Sequence, residues 1–311
     1  MKRLNYLLLG FLTISTLSLL TSCNDDSDTG EKGSANVEVT DAAVDAENIS
    51  GVYLAVSEIQ ASANGSIKTL ATFDTPIIFN VMDYQEGATF DLGSGDLDVG
   101  VYDELRLILA DGSPSDVTTS SYIEYTDQTT AALEIPSGTT TGYKVKGDFQ
   151  ISANNQTNLV IDIDLRKALV KTSETFKLRP TARLVVNETL STIHGEVSNY
   201  AHSSDQKVAV YAYLEGTYEA AEAEEPAAGE SRFENSINSA VVKEDGTFTL
   251  AFMEEGNYEI VVASYQRNPS NENEFLFEGT VDSELMLGTN ILNLLSIESS
   301  TNISINLVLN N

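Results

Sequence analysis

The chain has a single cysteine, Cys23, and its position is the first chemical clue. It lies where an apolar run, residues 7–20, gives way to an acidic run that opens with Asn24 and Asp25. A thiol is a nucleophile and a group that accepts acyl chains. Because the 311 residues contain no second cysteine, no disulfide forms within the chain, and apolar cores must hold the fold.

The residues before Cys23 have the composition of an export signal. Lys2 and Arg3 form a short basic start, and residues 7–20 follow as an apolar stretch that includes small residues. As a helix this stretch is about 21 Å long, shorter than the roughly 30 Å hydrocarbon core of a membrane. A basic start followed by a short apolar run is typical of a signal peptide and not of a transmembrane helix.

The end of this segment resembles a bacterial lipobox. Leu20, Thr21 and Ser22 precede Cys23, which matches a leucine, two small residues and the cysteine. The resemblance implies that the Cys23 thiol receives diacylglycerol, that the signal is cut before it, and that the new amino terminus is acylated. Several acyl chains anchor a protein far more firmly than one. We therefore predict a signal peptide at residues 1–22 and lipid attachment at Cys23.

Residues 23–35 are polar and acidic, which predicts a flexible tether. They also resemble the acidic stretch that follows the acylated cysteine in surface-exported lipoproteins of Bacteroidota-type envelopes. That resemblance implies a lipid-anchored protein of the outer membrane that is exposed at the cell surface. A tether that faces the periplasm is the alternative.

The strong acidity of the chain limits its choice of partners. It has 47 Asp and Glu residues against 17 Lys and Arg, a formal net charge of −30. Such a surface repels phosphate backbones, so we predict no nucleic-acid partner. The charge suits a well-solvated surface, or else one that collects divalent cations or meets a basic partner.

Metal-binding patterns in the sequence are incomplete. Two stretches echo oxygen-rich calcium loops: Asp96-x-Asp98-x-Gly100 and Asp26-x-Asp28-x-Gly30. Neither continues to the third acidic position and distal Glu of a full loop, so we predict ordinary turns, with Asp96 and Asp98 as the calcium candidates. Zinc needs three or four converging ligands, and the two histidines, His194 and His202, fall short of that. We predict no metal site and no cofactor.

No pattern in the sequence is typical of a catalytic site. The G-x-S-x-G motif of a serine hydrolase is absent, and none of the carboxylates has a setting typical of a glycosidase. Tryptophan, the usual sugar-stacking side chain, is absent, although Tyr and Phe are substitutes. Arg106, Arg179 and Arg183 are expected to pair with nearby acids, with ligand binding as the alternative. We predict that the chain is not an enzyme; a hydrolase with an unrecognised site is the competing hypothesis.

Alternation of apolar and polar residues predicts that strands position these groups. Residues 105–109 and 159–165 place leucine or isoleucine at alternate positions, which is typical of strands with one buried face. In the second stretch this pattern puts Asp162 and Asp164 on the polar face. Helical periodicity after the signal is limited to one or two turns at residues 165–172. We predict an all-β fold of immunoglobulin-like or transthyretin-like β-sandwiches.

The strand pattern divides into two domains near residues 186–195. The first, residues 36–188, has about nine predicted strands, and the second, residues 189–311, has about seven, which suits one sandwich. Asp245-Gly246 predicts a hairpin turn in the second domain, because glycine adopts positive φ freely.

An acidic insertion, residues 215–235, interrupts the second domain. It contains seven Glu, one Arg and several Ala, and we predict that it is mobile. Its role is either that of a solvated loop or that of a lid over a cation or a partner.

Five segments of the first domain occur in an order that is typical of one known family. They are VEVTDAAVD (37–45), GVYDELRLIL (100–109), LEIPSGTTTGYKV (133–145), VIDIDLRKALV (160–170) and FKLRPTARLVV (176–186). Over residues 36–186 they resemble the domain of unknown function 4382, which is found in envelope lipoproteins. The family usually has proline where Ala43 stands, a departure that touches one turn.

The second domain resembles the carboxypeptidase regulatory, transthyretin-like sandwiches. The segments that carry this resemblance are HGEVSN (194–199), KVAVYAY (207–213) and DGTFTLAFMEEGNYEIVVASY (245–265). Neither resemblance brings a catalytic residue, and such sandwiches serve in binding, spacing or assembly. We therefore expect a non-catalytic, lipid-anchored envelope protein that binds or organises a protein or glycan partner at the outer membrane. The alternative is a pilin-like, fimbrial subunit that assembles by strand exchange.

Overall fold

The computed structural model describes residues 30–42, 49–110, 119–172, 175–227 and 230–310. The predicted signal peptide, the lipobox with Cys23, most of the predicted tether, and Asp26 and Asp28 lie outside these residues. Within the described ranges, no helix is both long and apolar enough to cross a membrane.

Almost all of the regular structure is β-strand, which confirms the predicted all-β fold class. The strands before residue 187 are β1 Lys32–Ala42, β2 Ile49–Ala63, β3 Ser66–Asn80, β4 Phe90–Asp98, β5 Gly100–Leu109, β6 Tyr122–Tyr125, β7 Thr130–Glu134, β8 Tyr143–Ile151, β9 Gln156–Asp164, β10 Leu169–Lys171, β11 Phe176–Leu178 and β12 Arg183–Val186. The later strands are β13 Ser191–Val197, β14 Gln206–Leu214, β15 Asn238–Val241, β16 Thr247–Met253, β17 Gly256–Asn268, β18 Asn271–Val281, β19 Ser283–Leu287, β20 Asn290–Leu292, β21 Leu295–Ile297 and β22 Asn302–Leu309. One helical turn, α1 Leu165–Ala168, lies inside the segment where helical turns were predicted, and short 3-10 turns lie at Val81–Asp83, Asn187–Thr189 and Ala220–Ala223.

Strands β1–β12 form two sheets around one core. The first sheet has the order β12-β9-β1-β4, and the second has the order β10-β11-β7-β6-β2-β5-β8 with β3 also paired to β2. β1 runs parallel to β9 and antiparallel to β4. Leu105 and Leu107 of β5 and Leu159 and Ile161 of β9 are fully buried in this core, as their alternation predicts.

Strands β13–β22 form a second pair of sheets. Their orders are β16-β13-β22-β19-β20 and β15-β14-β17-β18, with β21 paired to β17. Ile193, Val210, Phe248 and Leu307 lie in the core of this pair. Among the described residues, no strand of one pair of sheets is hydrogen bonded to a strand of the other pair.

Two local features differ from the sequence predictions. β1 begins at Lys32, inside the predicted tether, because Ala35 is a fully buried core residue and β4 and β9 pair with the strand on both sides. Asp245 and Gly246 do form a tight turn, with φ of 86° at the glycine. That turn is not a hairpin, because β15 pairs with β14 whereas β16 pairs with β13, in the other sheet.

Strand β9 is buried on both of its faces. Val160, Asp162 and Asp164 lie on the face opposite Ile161, yet each of them is less than a tenth exposed. The prediction of a strand with only one buried face is therefore wrong for β9. Alternation of apolar and polar residues shows only that the two faces of a strand differ in polarity. It does not show which other residues cover the polar face.

A hydrophobic seam between the two pairs of sheets covers that face. Val160 of β9 and Val185 of β12 pack against Ala251 and Phe252 of β16. The two pairs of sheets thereby form one compact unit, which begins at Glu31.

Candidate functional site

An open groove of about 570 Å³ lies on the sheet β15-β14-β17-β18, on the face turned away from the core. Aromatic side chains of three adjacent strands line it: Tyr211 of β14, Tyr265 of β17, and Phe275 and Phe277 of β18. Phe275 and Phe277 share one face because alternate residues of a strand point the same way. We call this site the aromatic groove.

The rings of the aromatic groove hold one another in place. Tyr265 is the cross-strand partner of Phe277, and their ring centroids are 5.6 Å apart in an edge-to-face arrangement. The hydroxyls of Tyr211 and Tyr265 are hydrogen bonded at 2.7 Å. Edge-to-face geometry suits the ring quadrupoles, so the two rings stabilise each other in this arrangement.

One wall of the groove comes from the acidic insertion, which is anchored by Phe233. This residue is fully buried, stacks on Tyr211 at a centroid distance of 4.3 Å and meets Phe277 edge-on at 5.8 Å. Its backbone φ of 56° lies in the left-handed region, which is uncommon for a residue other than glycine. The packing of its ring offsets the cost of that conformation.

Hydrogen bonds fasten the insertion as well. The Glu222 carboxylate accepts from the Tyr213 hydroxyl at 3.1 Å and from the Asn235 backbone N–H at 2.9 Å. The insertion is therefore docked on the sheet through Phe233 and Glu222, while most of its described residues are exposed. The prediction of a mobile insertion did not include this docking, because it rested on the acidic composition and not on Phe233 and Arg232, the two side chains that contact the sheet.

Arg232 forms the rim of the groove. Its guanidinium carbon lies 4.3 Å from the centroid of the Phe277 ring, within the range of a cation–π contact. It donates to the Ala223 carbonyl at 2.6 Å and forms an ion pair with the Glu225 carboxylate. These contacts hold a planar donor group beside the aromatic surface.

Arg166 of α1 reaches the groove from the first pair of sheets. Its guanidinium donates to the carbonyls of Arg232 at 2.5 Å and Phe233 at 3.1 Å, and to the Ser236 hydroxyl at 2.8 Å. Its guanidinium carbon also lies 5.3 Å from the centroid of the Tyr211 ring. Both halves of the described chain therefore contribute to the groove.

Buried charges of the first pair of sheets support Arg166. Asp164 accepts from Arg166 at 2.9 Å and pairs with Lys167 at 3.3 Å, and Lys167 donates to the Ser236 carbonyl. Burial lowers the pKa of Lys167, and the Asp164 carboxylate opposes that shift. Asp164 therefore compensates the charges of two cations at the contact between the two pairs of sheets.

Two further carboxyls lie in the first pair of sheets near this network. Burial raises the pKa of Asp162, and the neighbouring Arg183, whose guanidinium donates at 2.6 Å, opposes the rise. Burial also raises the pKa of Asp41 well above its ordinary value, although Asp41 accepts hydrogen bonds from Gln85 at 3.0 Å and from the Leu165 backbone at 3.2 Å.

A second, smaller cavity of about 20 Å³ adjoins the aromatic groove. It shares Arg166, Tyr211 and Tyr265 with the groove and is also lined by Ser239. The Ser239 hydroxyl and the Arg166 Nε are buried and have no hydrogen-bond partner among the described residues. Ala209, Ala240 and Val241 also line the cavity, so its accessible surface is mainly apolar.

The structure confirms that the three arginines singled out from the sequence pair with acids. Arg106 pairs with Glu104 at 2.5 Å, and Arg183 pairs with Asp162, its cross-strand neighbour. Arg179 donates to the Lys167 carbonyl at 2.6 Å and lies 3.9 Å from Glu234 of the insertion. None of the three lines the aromatic groove.

The metal candidates are dispersed. Asp96 and Asp98 lie on β4, and Asp98 pairs with Lys68 at 3.0 Å. His194 lies on β13, whereas His202 follows that strand and lies 3.9 Å from Glu244. No three His, Cys, Asp or Glu side chains of the described residues are grouped as metal ligands.

Sequence reasoning missed the residues that build the groove. Arg166 and Arg232 drew no attention, although cations are scarce in this chain. The signal available for Arg232 and Phe233 was their adjacency within an insertion that is otherwise rich in Glu and Ala. Nothing local marks Arg166, because its partners lie in the other half of the chain.

Residues 32–180 match the family model of a domain of unknown function, DUF4382. The resemblance inferred from the five sequence segments is thereby confirmed for that part of the chain. DUF4382 covers the first pair of sheets up to the residues just before β12, and it includes α1 with Arg166. No curated protein matches the chain significantly.

Several solved structures share β-rich stretches with this chain at low similarity. A Pseudomonas aeruginosa protein, PA1324, described as a proposed carbohydrate-binding protein, covers 39% of this chain and 90% of its own at 15% identity, with a TM-score of 0.21. The match to the major pilin of Streptococcus pyogenes covers 90% of this chain and 98% of the pilin. The sequences are 14% identical, and the TM-score is 0.18. The match to GBS52, the minor pilin of Streptococcus agalactiae, covers 88% of this chain and 95% of GBS52. The sequences are 10% identical, and the TM-score is 0.20. Scores this low carry no argument about function.

Proposed function

We propose that this chain is a non-catalytic, lipid-anchored protein of the outer membrane, displayed at the cell surface, whose β-sandwiches bind or organise a partner. The lipobox resemblance at residues 20–23 supports acylation of Cys23, and the segments quoted above support a transthyretin-like second domain. The observation that carries the binding role is the aromatic groove, an open site with fixed rings and few, well-placed polar groups.

The hydrogen bonding inside the groove supports binding over catalysis. The Arg166 and Arg232 guanidiniums are tied to backbone carbonyls, and the Tyr211 and Tyr265 hydroxyls bond to each other. Groups held in this way orient a ligand. Acid–base catalysis needs a group that is poised to accept or release a proton at the reacting atom.

Metabolic labelling with radioactive palmitate tests the anchor. The wild-type chain should incorporate label and remain with membranes, whereas Cys23→Ala should do neither, because acylation requires the thiol. Ser22→Ala is the matched control, since it keeps a small residue before the cysteine and should be labelled normally. An unlabelled wild-type chain would refute the proposed anchor.

Protease treatment of intact cells tests surface display. The labelled chain should be digested while a marker protein of the periplasm survives. If the chain also survives until the outer membrane is permeabilised, the periplasm-facing alternative is correct.

A further inference from the structure

We infer that the edge of β18, beside the aromatic groove, accepts an extended basic strand from a partner protein. This inference rests on the proposed function, because it names the partner for the groove that carries the binding role. β18 ends the sheet β15-β14-β17-β18, and among the described strands only β17 pairs with it. The other edge of this 11-residue strand therefore offers backbone N–H and C=O groups to an added strand.

The aromatic groove reaches the backbone of β18. Phe275, Leu276 and Phe277 all line it, although alternate side chains of a strand point to opposite faces. These three residues pair with β17 in continuous register, and the acidic insertion adds Pro226 and Glu230 to the same lining. A strand that pairs with the edge of β18 therefore borders the groove.

One face of β18 is acidic. Glu274 and Leu276 share this face by alternation, Leu276 is 45% exposed, and the exposed Glu278 follows as the extra residue of a bulge. The strand has three Glu and no Lys or Arg. Opposite charges on neighbouring strands stabilise their pairing and like charges weaken it, so this face selects Lys or Arg in the added strand and disfavours a second copy of β18.

The other face of β18 carries the rings, and cations lie over them. The Lys207 ammonium and the Arg267 guanidinium lie 4.1 and 4.7 Å from the centroid of the Phe275 ring, and Arg267 also pairs with Asp205 at 3.2 Å. These cations disfavour Lys or Arg in the added residues that face the rings, whereas apolar side chains suit the ring surface. The two faces together select a strand in which basic residues alternate with apolar ones.

Fluorescence anisotropy of labelled peptides on the full acylated chain in detergent micelles tests this selection. The probe is a peptide of about seven residues, near the length of an ordinary strand, in which valine alternates with lysine. One comparison peptide has the same composition with its lysines grouped at one end, and in another valine alternates with glutamate. At about 150 mM NaCl the probe should bind about tenfold more tightly than either. Equal binding of the two lysine peptides, or a preference for the glutamate peptide, would overturn the inference.

A matched pair of variants locates the binding. Leu276→Lys places a cation beside the lysines of the probe at the edge of β18 and should weaken binding about tenfold. Ile291→Lys makes the same change of charge on β20 in another sheet, at a residue that is 62% exposed, and should bind as the wild type does. Circular dichroism confirms that both variants fold. Equal binding by the two folded variants would refute the site.

Hydrogen exchange tests the mode of binding. The bound probe should slow exchange of backbone amides at residues 274–281, because those at the open edge gain partners, and should leave β20 unchanged. Binding without this protection would rule out strand addition. Protection that rises with the concentration of the chain alone would identify a second copy as the occupant and would likewise contradict the inference.

The two proposals fail separately. A palmitate-labelled chain that binds no peptide keeps its anchor and loses the partner strand. A chain that binds the probe and carries no label keeps the partner strand and loses the anchor.

Discussion

At the scale of single residues, the structure places carboxyls where water does not reach them. Asp41 is 3% exposed, and Asp162 and Asp164 lie near enough to act on its charge. Burial is the largest cause of its raised pKa, the two neighbouring carboxyls add to it, and hydrogen bonds from Gln85 and Leu165 oppose it. The protonated form is therefore favoured in the folded state.

The free energy of unfolding should depend on pH because the pKa of the buried Asp41 is raised in the folded state. A raised folded-state pKa means that the folded chain binds more protons than the unfolded chain. The resulting stabilisation is complete below the unfolded pKa, near 3.9, and is lost as pH rises through the folded value. Asp41→Asn removes this titration, so relative to the wild type it should become progressively more stable as pH rises from about 4 towards 7.

Urea unfolding at a series of pH values measures this difference. Asp74→Asn is the matched control, because Asp74 is exposed on β3 and the variant removes the same formal charge. If the stability of Asp41→Asn relative to the wild type does not change with pH, burial does not favour the protonated form.

At the scale of elements, the acidic insertion is anchored to the sheet β15-β14-β17-β18 by the ring of Phe233. Phe233→Ala should cost about 3–5 kcal/mol in the free energy of unfolding, because it leaves a cavity between Tyr211 and Phe277. Glu219→Ala, an exposed residue of the same insertion, should change it by no more than about 0.5 kcal/mol. Denaturant unfolding measures both variants, and equal, small effects would mean that the insertion is not anchored through its aromatic residue.

At the scale of the whole molecule, the seam couples the two pairs of sheets. Each pair has its own core, and Ala251 and Phe252 join them by packing against Val160 and Val185. Ala251→Asp places an unpaired carboxylate in this contact, a change that costs several kcal/mol. We expect one calorimetric transition for the wild type and two for this variant.

Lys243→Ala is the control for the seam. Lys243 pairs with Glu86 across the two halves, but its side chain is 48% exposed, so its loss should change stability by less than about 1 kcal/mol and leave one transition. A single, unshifted transition for Ala251→Asp would show that the seam does not couple the halves.

The topology also bears on the pilin-like alternative. The first and last described strands, β1 and β22, are paired on both sides, β1 with β4 and β9, and β22 with β13 and β19. Strand exchange needs an open position beside a sheet that a donated strand completes. The described terminal strands therefore occupy interior positions of their own sheets, whose edge strands are β12 and β4 in one sheet and β16 and β20 in the other.

Local patterns were enough to predict much of the fold. Leu105 and Leu107 alternate with polar residues, and that alternation directly encodes a strand with one buried face. The sequence also predicted that Arg106 and Arg183 pair with acids, but it did not name their partners, which the structure shows to be Glu104 and Asp162. The burial of the polar face of β9 could not be predicted from local pattern, because the residues that cover it belong to strands that begin after residue 187.

By itself, then, the sequence determined the all-β class and most strand positions, because both are encoded in residues that are near neighbours along the chain. Only the tertiary structure decided that Arg166 meets Phe233, 67 residues away, and that both border the rings of β14, β17 and β18. The aromatic groove lies where two packed halves meet, and the physical reason is that burial, and not spacing along the chain, brings its groups together.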